Sequence, residues 1–240
     1  MLRFDLKSKK FSFSKKQRFV FTLVTVVACL LLNLNFSWAI TTAKHYNELK
    51  FPPLSTIKLP KYERYILENG LVVYLMEDHE LPLVTGTAMI RTGSRWEQGE
   101  KAGLASLVGS TLRSGGTQKH SANELNEILE QRAASVETDM GETAASASFE
   151  ALSEDIEMAF GLFTEVLREP AFAPEKLDLE KTQIRGAIAR RNDNPNSIAS
   201  RELRKLIYGK NSPYARTVEY ATLDKISRDD LLKFYQQYFH

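Results

Sequence analysis

The sequence has few of the residues that form metal centres and redox sites. Its 240 residues include one cysteine and four histidines. A single cysteine, Cys29, excludes a framework of intrachain disulfides. The histidines form no spaced pair that would place two imidazoles on one helix, and isolated surface histidines are usually solvated. They are His45, His79, His120 and His240.

Basic residues are scarce outside the N-terminus. Residues 1–39 contain seven Lys and Arg and one Asp, a balance of +6, which leaves 25 basic and 29 acidic residues, a balance of −4, in the rest of the chain. Nucleic-acid binding depends on clustered Lys and Arg that displace counterions. We therefore expect no nucleic-acid partner for the body of the protein.

The N-terminal segment has three parts. A basic stretch, residues 1–18, precedes an apolar stretch, residues 19–36, and Ser37-Trp38-Ala39 follows with small residues at its first and last positions. This pattern predicts a signal peptide cleaved after Ala39, and hence a periplasmic or secreted protein that has no cysteine once it is mature. An uncleaved membrane anchor is an alternative, and it would make the leader the only membrane contact.

Cys29 raises a third alternative for the leader. Val26-Val27-Ala28-Cys29 matches a lipoprotein processing site, at which the cysteine would be acylated. The apolar run continues through Leu30-Leu31-Leu32, where a polar tether is expected. All three interpretations export the residues that follow position 40.

Residues 40–61 contain three prolines without a clear hydrophobic period and are expected to form a linker, followed by one domain from residue 62 to 240. The pattern at the start of the domain predicts a β-hairpin, residues 65–67 and 71–75, around Asn69-Gly70, a dipeptide that favours a type I′ turn. The other predicted strands are residues 83–91, 135–140 and 143–152.

Helical periodicity and start signals predict six helices. Ser121 and Glu124 form a capping box, Ser153 is expected to cap a helix, and Pro174 and Pro195 occupy first-turn positions. Strands and helices are segregated along the chain, which indicates an α+β fold with an antiparallel sheet and helices packed on one face. The predicted helices are residues 102–112, 121–133, 153–168, 174–191, 194–208 and 227–240.

Several short motifs occur in the order found in the pitrilysin/insulinase family of inverted-motif zinc peptidases, to which mitochondrial processing peptidase belongs. The resemblance covers Tyr62 to His240 and implies an α+β half module that normally occurs in two or four copies around an unfolded peptide. The motifs are Gly93-Ser94-Arg95-Trp96-Glu97, Gly103-Leu104-Ala105, Gly116-Thr117, Pro170-Ala171-Phe172, Asp193-Asn194-Pro195 and Ser212-Pro213-Tyr214.

The family resemblance implies a zinc site whose residues are replaced in this sequence. The family carries His-x-x-Glu-His on one helix and a further Glu downstream. The resemblance places Ser106 and Ser110 at the two His positions and Gly109 at the general base. It places Ala187 at the downstream ligand position, and Glu180 of the same helix is kept. Serine hydroxyls are neutral donors that zinc rarely recruits. We therefore predict no catalytic residues, no metal ligands and no cofactor.

Three further features of the sequence are candidate sites. Ser110 lies within a helical pattern that lacks the second glycine of a nucleophile elbow, so Gly109 and Ser110 are interpreted as small residues at a close helix contact. Trp96 is interpreted as either a substrate contact or a packing anchor. Residues 135–140 are an expected edge strand for an extended peptide, although Glu137-Thr138 replaces the family's Asn-Ala.

The resemblance implies a non-catalytic subunit that pairs with an active zinc-peptidase sister chain and helps to enclose peptide substrates. The sequence ends before the next strand and the second half of the family module, so its own missing C-terminal half is another expected partner. Two rival hypotheses stay open. One is a zinc-dependent metalloendopeptidase with atypical ligands, and the other is a truncated fragment without a function.

Overall fold

The computed structural model describes residues 60–239 and, before them, residues 16, 19, 20, 22–24, 26, 45–49, 51–54 and 56. The chain divides into two compact units, residues 1–61 and 62–240. In the first unit, the described residues of positions 16–26 are helical and Tyr46–Glu48 forms a 3-10 turn. None of the described helices is long and apolar enough to cross a membrane. The predicted cleavage site at Ala39 and the alternative at Cys29 lie outside the described residues.

The second unit begins with an exposed β-hairpin. Strand β1, Glu63–Ile66, pairs with β2, Val72–Leu75, in an antiparallel register from 63↔75 to 66↔72. The predicted type I′ turn is wrong, because only Gly70 has a positive φ, +85°. The Gly70 N–H donates to the Leu67 carbonyl at 2.9 Å, and the Asn69 side chain accepts from the Leu71 N–H at 3.1 Å. Asn69 thus fixes the turn through its side chain, and a three-residue loop with one left-handed glycine results.

Three longer strands form the main sheet. They are β3, Leu83–Ile90, β4, Ser135–Met140, and β5, Ala145–Leu152. The strand order is β3-β5-β4, and both pairings are antiparallel. Residues 84, 86, 88 and 90 of β3 are partly covered, whereas 83, 85, 87 and 89 are exposed, so one face of the sheet is packed and the other is open.

Seven α-helices follow β3 in the described chain. Four of them begin at signals that the sequence displays, namely the Ser121–Glu124 capping box, Pro174, the Asn194 cap and the Ser227–Asp230 capping box. The short helix α6 was not predicted. The helices are α1, Leu104–Ser114; α2, Ala122–Gln131; α3, Ile156–Arg168; α4, Pro174–Arg190; α5, Pro195–Tyr208; α6, Tyr220–Asp224; and α7, Arg228–Tyr238.

The predicted cap at Ser153 is wrong. Residues 153–155 form a 3-10 turn, and α3 begins after it without a side-chain cap from any described residue. The Ser153 N–H donates to the Pro82 carbonyl at 2.9 Å and so continues the β3–β5 ladder by one residue pair. Ser153 is therefore fixed by the sheet, and its hydroxyl is not placed to accept from the first turn of the helix.

Two hydrophobic clusters cover the packed face of the sheet. One lies among α1, α4 and α7 and contains Leu107, Phe172 and Leu231. The other lies among α2, α3 and the sheet and contains Leu125, Val136, Phe149 and Val166. Burial of such side chains contributes about 1.5–3 kcal/mol each. Helices on one face of an antiparallel sheet confirm the predicted α+β class.

Candidate functional site

Helix α1 carries three of the four positions that the resemblance assigns to zinc chemistry, and its start is tightly constrained. Gly103 precedes the helix with a φ of +104°, a conformation that L residues with a Cβ rarely adopt. A Cβ at Gly103 would also lie 2.9 Å from a methyl carbon of Val218. Both the backbone angle and the close approach require glycine at this position.

The buried carboxylate of Glu97 caps α1. It accepts hydrogen bonds from the Gly103 N–H at 3.2 Å and the Ala105 N–H at 3.0 Å. Burial raises the pKa of Glu97 above its ordinary value, and the raising effect exceeds the lowering by these hydrogen bonds and by nearby Arg216. Glu97 thus satisfies N–H groups that a helix start leaves without partners. No sequence pattern predicted a role for this carboxylate, since the helix that it caps begins seven residues later.

A cleft of about 300 Å³ opens beside the start of α1. Its charged side chains are already engaged with neighbours. Arg204 bonds to the carboxylate of Glu142 and to the Tyr214 carbonyl, the latter at 3.0 Å, and Arg216 bonds to the Glu97 carbonyl. These hydrogen bonds hold the polar side chains of the cleft in place. Ser106 is one of the residues that line the cleft.

Ser106, Gly109 and Ser110 occupy positions i, i+3 and i+4 of α1 and therefore share one side of the helix. Ser106 is exposed, whereas Ser110 is partly buried and its hydroxyl donates to the Leu107 carbonyl at 3.3 Å. This bond, one turn back along the helix, is typical of a serine in a helix interior. Among the described hydrogen bonds of Ser110, none joins its hydroxyl to a side chain that could act as a general base.

Gly109 lies where α1 closely approaches the sheet. A Cβ at this position would be 2.7 Å from both the Cβ and the backbone nitrogen of Met140 in β4. The Gly109 carbonyl also accepts from the Thr138 hydroxyl at 2.7 Å. The expected packing role of Gly109 is therefore present in the structure, and this backbone has no room for a longer side chain.

Ala187, the fourth position, lies on α4, which packs beside α1. Ala187 is exposed and precedes the buried Ile188, and the partly buried Glu180 lies two turns earlier on the same side of the helix. The assignment of Ala187 to a lost ligand position stays a prediction.

The residues at these four positions do not fit a zinc ion. They supply two hydroxyls, one methyl group and one glycine, whereas protein zinc ligands are thiolates, imidazoles and carboxylates. Among the residues that the structure describes, no group of three or more His, Cys, Asp or Glu could hold a metal ion. The site offers no arrangement from which a metal-assisted hydrolysis step can be derived.

His120 has a structural partner that sequence analysis missed. Its Nδ1 lies 2.9 Å from Oε1 of Glu165, and the Thr117 hydroxyl donates to the same oxygen. Burial raises the pKa of Glu165, but the hydrogen bonds from Thr117 and His120 outweigh it and hold the pKa below its ordinary value. Because His120 and Glu165 lie 45 positions apart, no local sequence pattern predicts the pair. His45 and His79 are exposed, and His240 lies outside the described residues.

Trp96 and β4 were the other candidates for substrate contact. Trp96 is half-exposed, and its ring centroid lies 6.1 Å from that of Tyr238, while the Arg95 guanidinium lies over the Trp96 ring at 4.8 Å from its centroid. The β4 strand is an edge strand, but Arg113 of α1 donates to its Val136 carbonyl at 3.0 Å. A peptide added along β4 would have to compete with that contact.

Comparison with known proteins gives one family match. A family model described as Insulinase (Peptidase family M16) matches residues 72–221. A Helicobacter pylori protein named Non-peptidase homolog YmxG is 27% identical over 165 residues, which are 68% of this chain and 38% of that protein. An uncharacterized zinc protease of Rickettsia felis is 23% identical over 179 residues, 72% of this chain and 42% of that protein.

Solved structures agree with this match. The peptidase M16 inactive domain from Pseudomonas fluorescens has a TM-score of 0.67 and 26% identity over 72% of this chain and 42% of that one. A Helicobacter pylori protease shares the fold with a TM-score of 0.62 at 18% identity, over 75% of this chain and 44% of that one. The chain thus spans about two fifths of the length of these relatives.

Proposed function

Because the chain belongs to the insulinase family, peptidase family M16, we propose that it is an exported, non-catalytic member that pairs with an active zinc peptidase of the same family. In this role it supplies part of a chamber that encloses peptide substrates. The similarity to a non-peptidase homolog and to an inactive M16 domain supports the non-catalytic assignment.

Gly109 carries the non-catalytic part of the proposal. The resemblance places it where an active member needs a glutamate, yet a Cβ there would already lie 2.7 Å from the Met140 backbone nitrogen. Real Cβ atoms essentially never come that close, so α1 would have to move away from β4 before any side chain could be added. The packing of this module is therefore adapted to the absence of the catalytic glutamate.

An exposed apolar face on α5 supports pairing. Leu203 and Leu206 are 54% and 83% exposed, and together with Ala199 they line an open groove along the helix. These positions share one side of α5, because they follow the i, i+4, i+7 spacing. Contiguous exposed apolar side chains of this kind mark interaction surfaces.

The pairing test is capture of an active M16 chain from the native exported fraction by the tagged full-length protein. We expect the Leu206→Glu variant to lose the captured chain. Leu179→Glu, which places the same charge on another exposed leucine, 50% exposed on α4, is the matched control and should retain it. The proposal fails if the captured fraction contains no His-x-x-Glu-His protein, or if its peptidase activity is the same after this chain is removed.

A zinc-dependent endopeptidase with atypical ligands is the second candidate, and the names of the Rickettsia relatives favour it. It predicts one zinc per purified chain and peptidase activity that a chelator abolishes. The non-catalytic assignment predicts neither result in the isolated chain. A truncated fragment without a function predicts a third outcome, with poor cooperative unfolding and no captured partner.

Export is tested by cell fractionation together with analysis of the mature N-terminus. A chain that begins at residue 40 in the soluble exported fraction would support cleavage after Ala39. An intact chain in the membrane fraction would support the anchor, and an acylated N-terminal Cys29 would support lipoprotein processing. Recovery of the intact chain from the cytoplasm would overturn export.

A further inference from the structure

The connection between α3 and α4 contains a residue in a strained backbone conformation. Phe172 has a φ of +48° and is fully buried. A bulky L residue rarely adopts this left-handed conformation, because its Cβ comes too close to a carbonyl oxygen of the backbone. Strained residues persist only where the surrounding structure holds them, and they cluster at clamps and switch regions. The contacts that hold Phe172 therefore indicate a conformational role for this connection.

The connection, residues 169–173, pairs with residues 115–118, which directly follow α1. The two segments form an antiparallel bridge and exchange backbone hydrogen bonds in both directions. The end of α1 is thus joined to the connection between α3 and α4, and we call the two paired segments the joint. In the joint, the Ala171 N–H donates to the Gly116 carbonyl at 3.0 Å, the Ala173 N–H to the Gly115 carbonyl at 3.4 Å, and the Gln118 N–H to the Glu169 carbonyl at 2.9 Å.

Phe172 is held in its strained conformation while the joint is closed. A Cβ on Gly115 would lie 3.2 Å from the Phe172 Cα, so the two backbones are in close contact. The Phe172 side chain packs in the hydrophobic cluster among α1, α4 and α7, and its ring centroid lies 5.8 Å from that of Tyr235. Rotation to an unstrained φ would move the ring out of this cluster or move Ala173 away from Gly115. The strain in Phe172 therefore favours opening of the joint.

Arg228, the first residue of α7, holds both peptide groups that flank the Phe172 Cα. Its Nε donates to the Phe172 carbonyl at 2.9 Å, and its Nη2 donates to the Ala171 carbonyl at 2.7 Å. The φ and ψ angles of Phe172 are the rotations that relate these two peptide planes. Because a guanidinium is planar and rigid, one side chain bonded to both carbonyls fixes their relative orientation. The Tyr235 hydroxyl, also from α7, donates to the Leu167 carbonyl at 2.9 Å and adds a second attachment.

We propose that Arg228 is the latch of a strained conformational device that couples α7 to the end of α1. With the guanidinium bonded to the two carbonyls, Phe172 stays left-handed and the joint stays closed. When α7 moves and withdraws the guanidinium, Phe172 relaxes, residues 169–173 separate from residues 115–118, and the end of α1 is released. All of these contacts lie within residues 115–235, and the device does not depend on the proposed function.

The first test measures amide hydrogen exchange in the full-length chain and in its Arg228→Gln variant. The informative amides are those of Gln118, Ala171 and Ala173, whose N–H groups close the joint. We expect their exchange to be faster in Arg228→Gln by about tenfold or more, since two hydrogen bonds from a charged group are lost. Amides in the centres of β5 and α4 should change by less than about threefold, because the joint opens locally. Lys233→Gln, which removes an exposed cation of the same helix, is the matched control and should leave all of these amides unchanged.

The second test separates the backbone strain from the packing of the ring. Phe172→Ala and Phe172→Gly both remove the aromatic ring, but only alanine has a Cβ that opposes the left-handed conformation. Exchange at the amides of Ala171 and Ala173 should therefore be slower in Phe172→Gly than in Phe172→Ala, by about fivefold or more. At an ordinary helix or strand position glycine is the less stable of the two, so this order of the variants is specific to a strained position.

Circular dichroism and urea unfolding verify that each variant keeps the fold, and the Arg228→Gln test stands alone if the Phe172 variants unfold. Unchanged exchange at the joint in Arg228→Gln would overturn the proposal, because the guanidinium would not then hold the joint closed. An equal increase at the joint and in the centre of β5 would also overturn it, since global stability would be lost without local opening. So would exchange in Phe172→Gly that is as fast as in Phe172→Ala, or faster.

Discussion

Gly109 of α1 lies against Met140 of β4 so closely that a Cβ on the glycine would be 2.7 Å from the Cβ of the methionine. The contact fixes the distance between strand β4 and helix α1, which carries the positions that the resemblance assigns to the family motif. It also joins the position at which the family resemblance predicts a replaced catalytic side chain to the tight helix–sheet packing. Each consequence can be measured.

Gly109→Ala should lower the free energy of unfolding by about 1–3 kcal/mol, because an added methyl group overpacks a contact with backbone. Gly161→Ala in α3 is the matched control. Its Cβ would meet no atom within 4 Å, so the better helix propensity of alanine should raise the free energy of unfolding by about 0.5–1 kcal/mol. Urea denaturation measures both. Equal effects of the two substitutions would contradict the packing argument.

Restoring the family motif should not restore the metal site. In the variant Ser106→His/Gly109→Glu/Ser110→His we expect no zinc to remain after dialysis, because the glutamate has no room between α1 and β4 and position 187 is an alanine. The same variant should be less stable than Ser106→His/Ser110→His. Elemental analysis and urea denaturation give the two readouts. One tightly bound zinc per chain in the triple variant would refute the prediction.

Glu97 should make a pH-dependent contribution to stability. Its pKa is raised by burial in the folded chain, so the folded state binds more protons than the unfolded state as pH rises above 4.5. The free energy of unfolding of the wild type should therefore fall relative to Glu97→Gln as pH rises from about 4 to 7, the range in which a raised carboxyl pKa titrates. Urea denaturation at several pH values measures the difference. If the free energy of unfolding of the wild type instead rose relative to Glu97→Gln with pH, the hydrogen bonds to the carboxylate would outweigh its burial and the prediction would be wrong.

Glu165 should behave in the opposite way. Its pKa is lowered in the folded chain, so its stabilising contribution is present above the ordinary value of 4.5 and is lost as pH falls through the folded pKa. Glu165→Gln should cost about 1–3 kcal/mol at neutral pH and less in acid, since it weakens bonds from Thr117 and His120.

Glu169→Gln is the matched control for Glu165→Gln. Glu169 pairs with Lys119 at 3.0 Å, but their side chains are 40% and 61% exposed, so its loss should cost less than about 1 kcal/mol. Comparable losses in the free energy of unfolding would mean that the buried cluster around Glu165 stabilises the fold no more than an exposed ion pair does.

Local chemistry made the helix starts predictable. Ser121 with Glu124, Ser227 with Asp230, Asn194 and Pro174 act within one turn of the chain, so sequence shows both partners at once. Ser153 was predicted wrongly because its N–H is bound to Pro82 of the neighbouring strand, a partner 71 positions away. The turn at Asn69-Gly70 was predicted at the right position but with the wrong type. Asn69 has a negative φ, and its side chain accepts the Leu71 N–H.

The sequence by itself determined the α+β class, most element positions, the resemblance to a peptidase family and the prediction that its motif residues are replaced. These follow from short-range patterns and from residue identity. Only the tertiary structure decided that Glu97 caps α1, that His120 meets Glu165 and that Gly109 touches β4. Each of these depends on which distant segments the fold brings together, and burial, close approach and strand order are properties of that assembly.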